Sequence, residues 1–184
     1  MANDLWRTPK EIYEKLDDEF NFVADMAAND DNHLHEVYFT EETNSLENNW
    51  RELVSDAYGY CEKSSFVYVN PPYSDPMPWI KKATEAKYDG LGTVMLLNAD
   101  TSVGWFAEAY KTVSEIRFII ADEKEIGGYS SGRLAFLNDS DEPISGNNRP
   151  QFILVFNPFK IGERHTTYVT KSSFSHRPSL AFFV

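Results

Sequence analysis

Asn70-Pro71-Pro72-Tyr73 follows the unbroken apolar run Phe66-Val67-Tyr68-Val69. Two consecutive prolines fix two backbone angles and remove two N–H donors, so the turn presents carbonyl acceptors. Asn70 adds an amide oxygen, and Tyr73 adds a flat aromatic face. Two acceptors for one amino group, beside a platform for a planar ring, suit an aromatic exocyclic amine. The lone pair of such an amine is delocalised into its ring and attacks electrophiles poorly. Acceptors for both of its N–H bonds favour a tetrahedral nitrogen and free the lone pair for in-line displacement. Positioning and electrostatics of this kind supply several orders of magnitude in rate. The competing reading is a plain proline-rich turn, since Pro76 and Pro78 follow closely. Its place after a buried run favours chemistry, because open α/β sheets bind ligands beyond the carboxyl ends of their strands.

The elements that hold this turn are legible from punctuation and periodicity. Thr8-Pro9-Lys10-Glu11 opens a helix, with Thr8 as N-cap and Pro9 at the first helical position. Ile12, Leu16 and Phe20 share one face, which predicts a helix over 9–19. A short strand over 21–25 ends on Asp25, and a polar loop leads to another over 36–39. The run 66–69 has the pattern of a parallel strand covered on both faces. A helix follows from Pro78 to about Ala86, a strand over 93–97, a helix around 103–111 with Trp105, Phe106 and Ala109 inward, and a strand over 116–121. This alternation predicts an α/β layered sheet, mostly parallel, with helices on both faces. Strands over 133–137 and 151–156, joined by the polar stretch 138–148, read as an antiparallel end; Thr166 to Val169 adds a last strand.

The chain has 184 residues, 42 % of them apolar, enough for a single folded domain. No apolar run is long enough to cross a membrane. The N-terminus lacks the basic start and apolar stretch of a signal peptide, so a reducing cytosol is expected. Cys61 is the only cysteine, which excludes an internal disulfide and a cysteine-based zinc site. The net charge is −12, and residues 1–62, with 16 acidic and 4 basic side chains, account for all of it. Residues 143–184 are basic, with Arg149, Lys160, Arg164, Lys171 and Arg177 against Glu163 alone. Such asymmetry predicts two faces with different partners.

Several ordered pieces resemble the phage-type DNA adenine methyltransferases: Trp6-Arg7-Thr8-Pro9, Asp25-Met26-Ala27-Ala28, Tyr38-Phe39-Thr40, Leu46 to Trp50, Asn70 to Ser74, Gly132 to Phe136, and Arg149-Pro150. The resemblance runs from about Leu5 to Phe156. It implies a Rossmann-like, S-adenosylmethionine-dependent methyltransferase acting on the exocyclic nitrogen of adenine in DNA. It also implies roles. Asn70 and the carbonyl of Pro71 hold the amine, Pro72 completes the motif, and Tyr73 stacks on the base. Trp6, Thr8 and Pro9 lie toward the cofactor, Thr8 and Pro9 beside its methionine part. Asp25 reaches its amino group, directly or through water, and the small Ala27 allows close backbone approach. Asn44 stands where the family often has Asp, and hydrogen-bonds the cofactor's adenine. Glu41 or Glu42 meets the ribose. The glycine-rich turn of many methyltransferases is absent after Asp25; a cofactor without phosphate does not require it.

With DNA as substrate, the acidic third must face away, and the duplex must lie on Arg133, Arg149, Lys160 and Arg164, with Lys171 beside them. Residues 122–151 are the segment available to read a sequence, and the base must be extruded or taken from a single strand. Gly127 to Gly132 is a loop touching the base, or only a hairpin turn. Asp100 lines the pocket or caps the next helix. His33 and His35 are read as solvated loop side chains, and no metal is expected; His165 and His176 have no evident partner. The motif alone leaves open adenine in RNA, a protein glutamine, or a non-catalytic acidic mimic of DNA.

Overall fold

Side chains at alternate positions of the apolar runs pack on opposite faces of a sheet. The computed structural model describes residue 4 and residues 6–175. Leu5, His176 and Arg177, used above, lie outside the described residues. Helix α1 (Lys10–Phe20) precedes strand β1 (Phe22–Asp25), helix α2 (Trp50–Tyr58), strand β2 (Phe66–Val69), helix α3 (Met77–Tyr88), strand β3 (Gly92–Asn98) and helix α4 (Gly104–Tyr110). Strands β4 (Glu115–Ile120), β5 (Gln151–Phe156) and β6 (His165–Thr170) follow, with a 3-10 turn at Lys171–Phe174.

The strands form one sheet in the order β1-β2-β3-β5-β4-β6. β1, β2 and β3 are parallel neighbours, as are β4 and β6, while β5 is antiparallel to both β3 and β4. The expected antiparallel end is therefore an antiparallel insertion inside the sheet. The connection over 121–150 contains no crossover helix, so it starts and finishes at the same end of the sheet, and β5 must run back.

Val67, Val69, Met95, Leu97, Phe152 and Leu154 join Trp50, Val54, Ile80, Ala83 and Ala109 in one core, under α2, α3 and α4. Tyr68, Val94, Leu96, Ile153 and Val155 join Ile12, Leu16, Leu134, Phe136 and Phe174 in another, on the α1 face. Both faces are covered, which is why these strands read as unbroken apolar runs. Gly92 permits the closest approach: a Cβ there would sit 2.3 Å from the Phe66 ring.

Several local expectations need correction. Pro9, not Thr8, is the N-cap of α1, and it makes no side-chain cap bond; the Thr8 hydroxyl turns instead to that of Tyr68 at 2.9 Å. Residues 36–39 form only a bridge, from Tyr38 to Asp25. Residues 133–137 are no strand. Leu137 exchanges two backbone bonds with Arg7, at 2.9 and 3.0 Å, and the Leu134 N–H donates to the Gln151 side chain at 3.1 Å. The alternating burial of Leu134 and Phe136 comes from lying across the α1 face of the sheet, where no neighbouring strand offers a ladder. Helix α2 has no counterpart among the predicted elements. Asn49 caps it, accepting the Glu52 N–H at 3.1 Å.

Candidate active site

β1 and β2 are adjacent and parallel, so Asp25 and Asn70 emerge at the same end of the sheet. Asp25 is 3 % exposed. One carboxylate oxygen accepts the Ala27 N–H at 3.3 Å, and the other accepts the Leu34 N–H at 3.2 Å. Burial raises its carboxyl to about 6, against the opposing pull of these two bonds and of His33 nearby. The Asp25 backbone is pinned as well, accepting from Phe39 N–H and donating to the Val37 carbonyl. His33 stacks on Tyr38 at 4.1 Å, and the His35 ring bonds the Val37 backbone. Among the described residues, no group of three or more His, Cys, Asp or Glu converges as metal ligands would.

Asn70 is held from one side. Its amide N–H donates to the Trp6 carbonyl at 3.5 Å, while its amide oxygen is buried and has no hydrogen-bond partner. A buried acceptor left unpaired carries a desolvation cost of about 1–3 kcal/mol, which a donor in the cavity would relieve. Pro71 is buried beneath it and Pro72 is exposed. Tyr73 differs from the expected open platform. Its ring is half-buried, edge-on to Phe136 at 5.9 Å, and its hydroxyl is buried without a partner. Burial holds that hydroxyl well above the ordinary phenol range.

Both strand ends open on one cavity of about 500 Å³. Of the residues singled out in the sequence, Trp6, Thr8, Asp25, Ala27, Asn44, Asn70 and Pro72 line it; Pro9, Pro71 and Tyr73 do not. Glu41 lines it and Glu42 does not. Asn44 adopts the left-handed conformation, φ 47°, as its backbone N–H turns to the Thr40 and Glu41 carbonyls. Tyr68, Ser45, Leu34, Trp79 and Arg7 also line the cavity and were not anticipated as site residues. Tyr68 was hidden by its apolar run, and Ser45 by its small size. The Ser45 hydroxyl donates to the Met26 carbonyl at 2.8 Å, tying the 40–46 loop to the end of β1.

The four basic residues expected on one docking face are split. Arg149 precedes β5, whose Gln151 pairs with Asn98 at the carboxyl end of β3. Arg133 adjoins Leu134, which Gln151 also holds, so both arginines lie at the Asn70 end. Lys160 and Arg164 follow β5, whose Phe156 pairs with Thr93 at the opposite end of β3. There the Lys160 carbonyl accepts from the buried Lys87 ammonium at 3.1 Å, and Arg164 lies over the Tyr110 ring at 3.4 Å. The antiparallel course of β5, unforeseen as an interior strand, carries them away. Asp100 neither lines the cavity nor caps α4, whose N-cap is Val103; it accepts from Ser102. Residues 122–130 close as a hairpin turn, with Gly127 and Gly128 at φ near 80°.

A strand ending on a buried carboxylate, beside one followed by an amide oxygen without a partner, offers two acceptors to one cavity and can hold amino groups there. The sequence pattern of the DNA N-6-adenine-methyltransferase (Dam) family matches residues 1–178, and the chain belongs to that family. It is similar to a DNA N-6-adenine-methyltransferase of Escherichia phage T1, 35 % identical over 91 % of this chain and 68 % of the relative. Another of the same description, from Haemophilus phage HP1 (strain HP1c1), is 30 % identical over 91 % of this chain and 87 % of the relative. No solved structure matches the chain with significance. Family membership answers what the motif alone left open: the chain is an enzyme, and its substrate is adenine in DNA.

Proposed function

We propose that this DNA adenine methyltransferase binds S-adenosylmethionine in the cavity over Asp25 and receives the target adenine at Asn70. The observation that carries the reading is the Asn70 amide oxygen, buried, unpaired and anchored through its N–H to Trp6. An incoming amine satisfies it. The Pro71 carbonyl is the second acceptor, and Tyr73, after a turn of its ring away from Phe136, is the stacking partner. The sheet is read as Rossmann-like, in one domain over 1–184, with 122–151 as the small reader of the target sequence and Arg133 and Arg149 on the phosphates.

The cavity fits the cofactor. Its volume lies within the range of small-molecule sites. Asp25 offers a buried carboxylate to an ammonium group, and Trp6 and Thr8 stand near the cleft shared with Asn70. Asn44 and Glu41 line the cavity from the loop that Ser45 anchors, and Glu42 does not, which supports a reading with Asn44 at the adenine and Glu41 at the ribose. When bound, the cofactor supplies an electrophilic methyl carbon. Asn70 and Pro71 orient the amine and favour its tetrahedral form. Thr8, Asp25, Ser45 and Tyr68 are the buried members of the lining, and contacts made against them are strengthened by the low local dielectric.

Equilibrium titration with S-adenosylmethionine tests the cofactor site. The wild-type chain is expected to bind, and Asp25→Ala to bind about tenfold more weakly or worse, as loss of a charged hydrogen bond requires. Equal affinities would remove the cofactor from this cavity.

A further inference from the structure

Arg7 lines the cavity with an unusual set of neighbours. Among the described residues that line the cavity it is the one cation, against Asp4, Asp25, Glu41 and Asp75. Its backbone is fixed to Leu137 by two hydrogen bonds. Next to Leu137, Phe136 touches the rings of both Trp6, at 5.4 Å, and Tyr73, at 5.9 Å. Arg7 therefore sits where the N-terminal segment meets the segment over 122–151, one residue from Trp6, whose ring shares Phe136 with Tyr73. On the DNA reading above, a target nucleotide enters beside it.

Its side-chain partners are two carboxylates of one loop, Asp141 at 3.3 Å and Asp139 at 3.8 Å. Arg7 is largely covered, with 16 % of its side chain exposed, whereas the two aspartates are 74–75 % exposed. Exposed carboxylates at such distances hold an arginine weakly. A phosphate offers the same charge in a geometry the guanidinium grips with two parallel bonds. A chain of net charge −12 gains little from its overall field when it approaches a polyanion, so a local cation beside the reacting base carries more weight.

We propose that Arg7 binds a DNA phosphate next to the target adenine, and that Asp139 and Asp141 stand in for that phosphate until the duplex arrives. The inference rests on the DNA reading above. Duplex binding exchanges two loop carboxylates for one phosphate, and the tip of the 138–142 turn moves off the arginine. That turn is closed on itself. Asn138 holds it internally, accepting the Ser140 and Glu142 N–H groups at 2.9 Å, while its contact with Arg7 is through side chains alone.

The test measures binding of a short fluorescent DNA duplex between ~0.05 and ~0.2 M salt, with S-adenosylmethionine titrated in parallel. Arg7→Gln is expected to weaken duplex binding and reduce the log–log salt slope by about 0.9, one phosphate's share, with donor affinity within about twofold. Arg7→Lys is expected to restore the slope, because a point charge still neutralises a phosphate. Changing Asp139→Asn and Asp141→Asn together is expected to tighten duplex binding. The gain should be at least about threefold larger with Arg7 present than in Arg7→Gln, since only then is an ion pair released. Equal gains in the two backgrounds, or an unchanged slope in Arg7→Gln, would overturn the proposal. Loss of donor affinity without a change of slope would assign Arg7 to the donor's carboxylate, and overturn it too. A wild-type chain that binds no duplex at any salt would overturn the DNA reading itself, and is told apart by that.

Discussion

In the proposed donor site Asp25 meets opposing demands: a nearly dry site raises its carboxyl to about 6, and the proposed ammonium partner requires it ionised. In the unfolded chain the same group titrates near ~3.9. Between those values the folded protein holds a proton that the unfolded chain has released, so Asp25 makes stability fall as pH rises through this window. Urea unfolding from pH ~4 to ~6 is expected to show that slope in the wild-type chain and to lose it in Asp25→Asn. Donor affinity should follow the ionised form, flat above pH ~7 and falling as pH drops through about 6. Calorimetry at pH ~5.5 in buffers of different ionisation enthalpy should register proton release on donor binding. Uptake of protons would mean that Asp25 does not meet an ammonium.

At the scale of elements, Phe136 shows what the sequence could and could not disclose. Its alternation with Leu134 was legible as burial, and the burial is real, but pairing depends on a neighbour the local sequence does not name. The same limit hid the insertion of β5 between β3 and β4, because strand order is decided by the long connection before it. α2 was hidden for another reason. Asn49 and Glu52 carry its cap, yet with nine residues and only Trp50 and Val54 buried its apolar stripe is short. The strands β2, β3 and β5 were legible because two covered faces leave an unbroken apolar signature. Phe136→Ala is expected to cost about 3–5 kcal/mol in urea unfolding, as large-to-small core changes do. It should also slow methyl transfer, because Trp6 and Tyr73 lose a shared contact. A loss of stability below ~1 kcal/mol would show that the segment over 133–137 is not part of the core.

For the whole molecule, the charge pattern was legible and its placement was not. Arg133, Arg149, Lys160 and Arg164, with Lys171 beside them, read as one docking face, but β5 carries Lys160 and Arg164 to the end of the sheet far from Asn70. Pro71 and Tyr73 of the Asn-Pro-Pro-Tyr turn stand outside the cavity lining. Of the residues that do line it, Asp25, Asn70 and Pro72 were legible in the sequence, since local chemistry marks them. Arg7, Tyr68 and Ser45 were not, since only the fold brings them to the cavity. Lys160→Ala and Arg164→Ala are accordingly expected to leave the salt slope of DNA binding unchanged. Arg149→Ala should flatten it by about one unit and weaken all sequences alike. A flattened slope in Lys160→Ala would return the duplex to the opposite end of the sheet.

Asn70→Ala tests the central arrangement most directly, with donor affinity and single-turnover methyl transfer to DNA measured on the same preparation. On the proposed assignment the amide oxygen acts as the amine becomes tetrahedral, so transfer should fall by about 10²-fold or more. S-adenosylmethionine affinity should stay within about threefold of wild type, because Asp25 and its strand end are untouched. Loss of donor affinity in proportion to loss of rate, or transfer that survives the substitution, would contradict the assignment of Asn70 to the adenine amine.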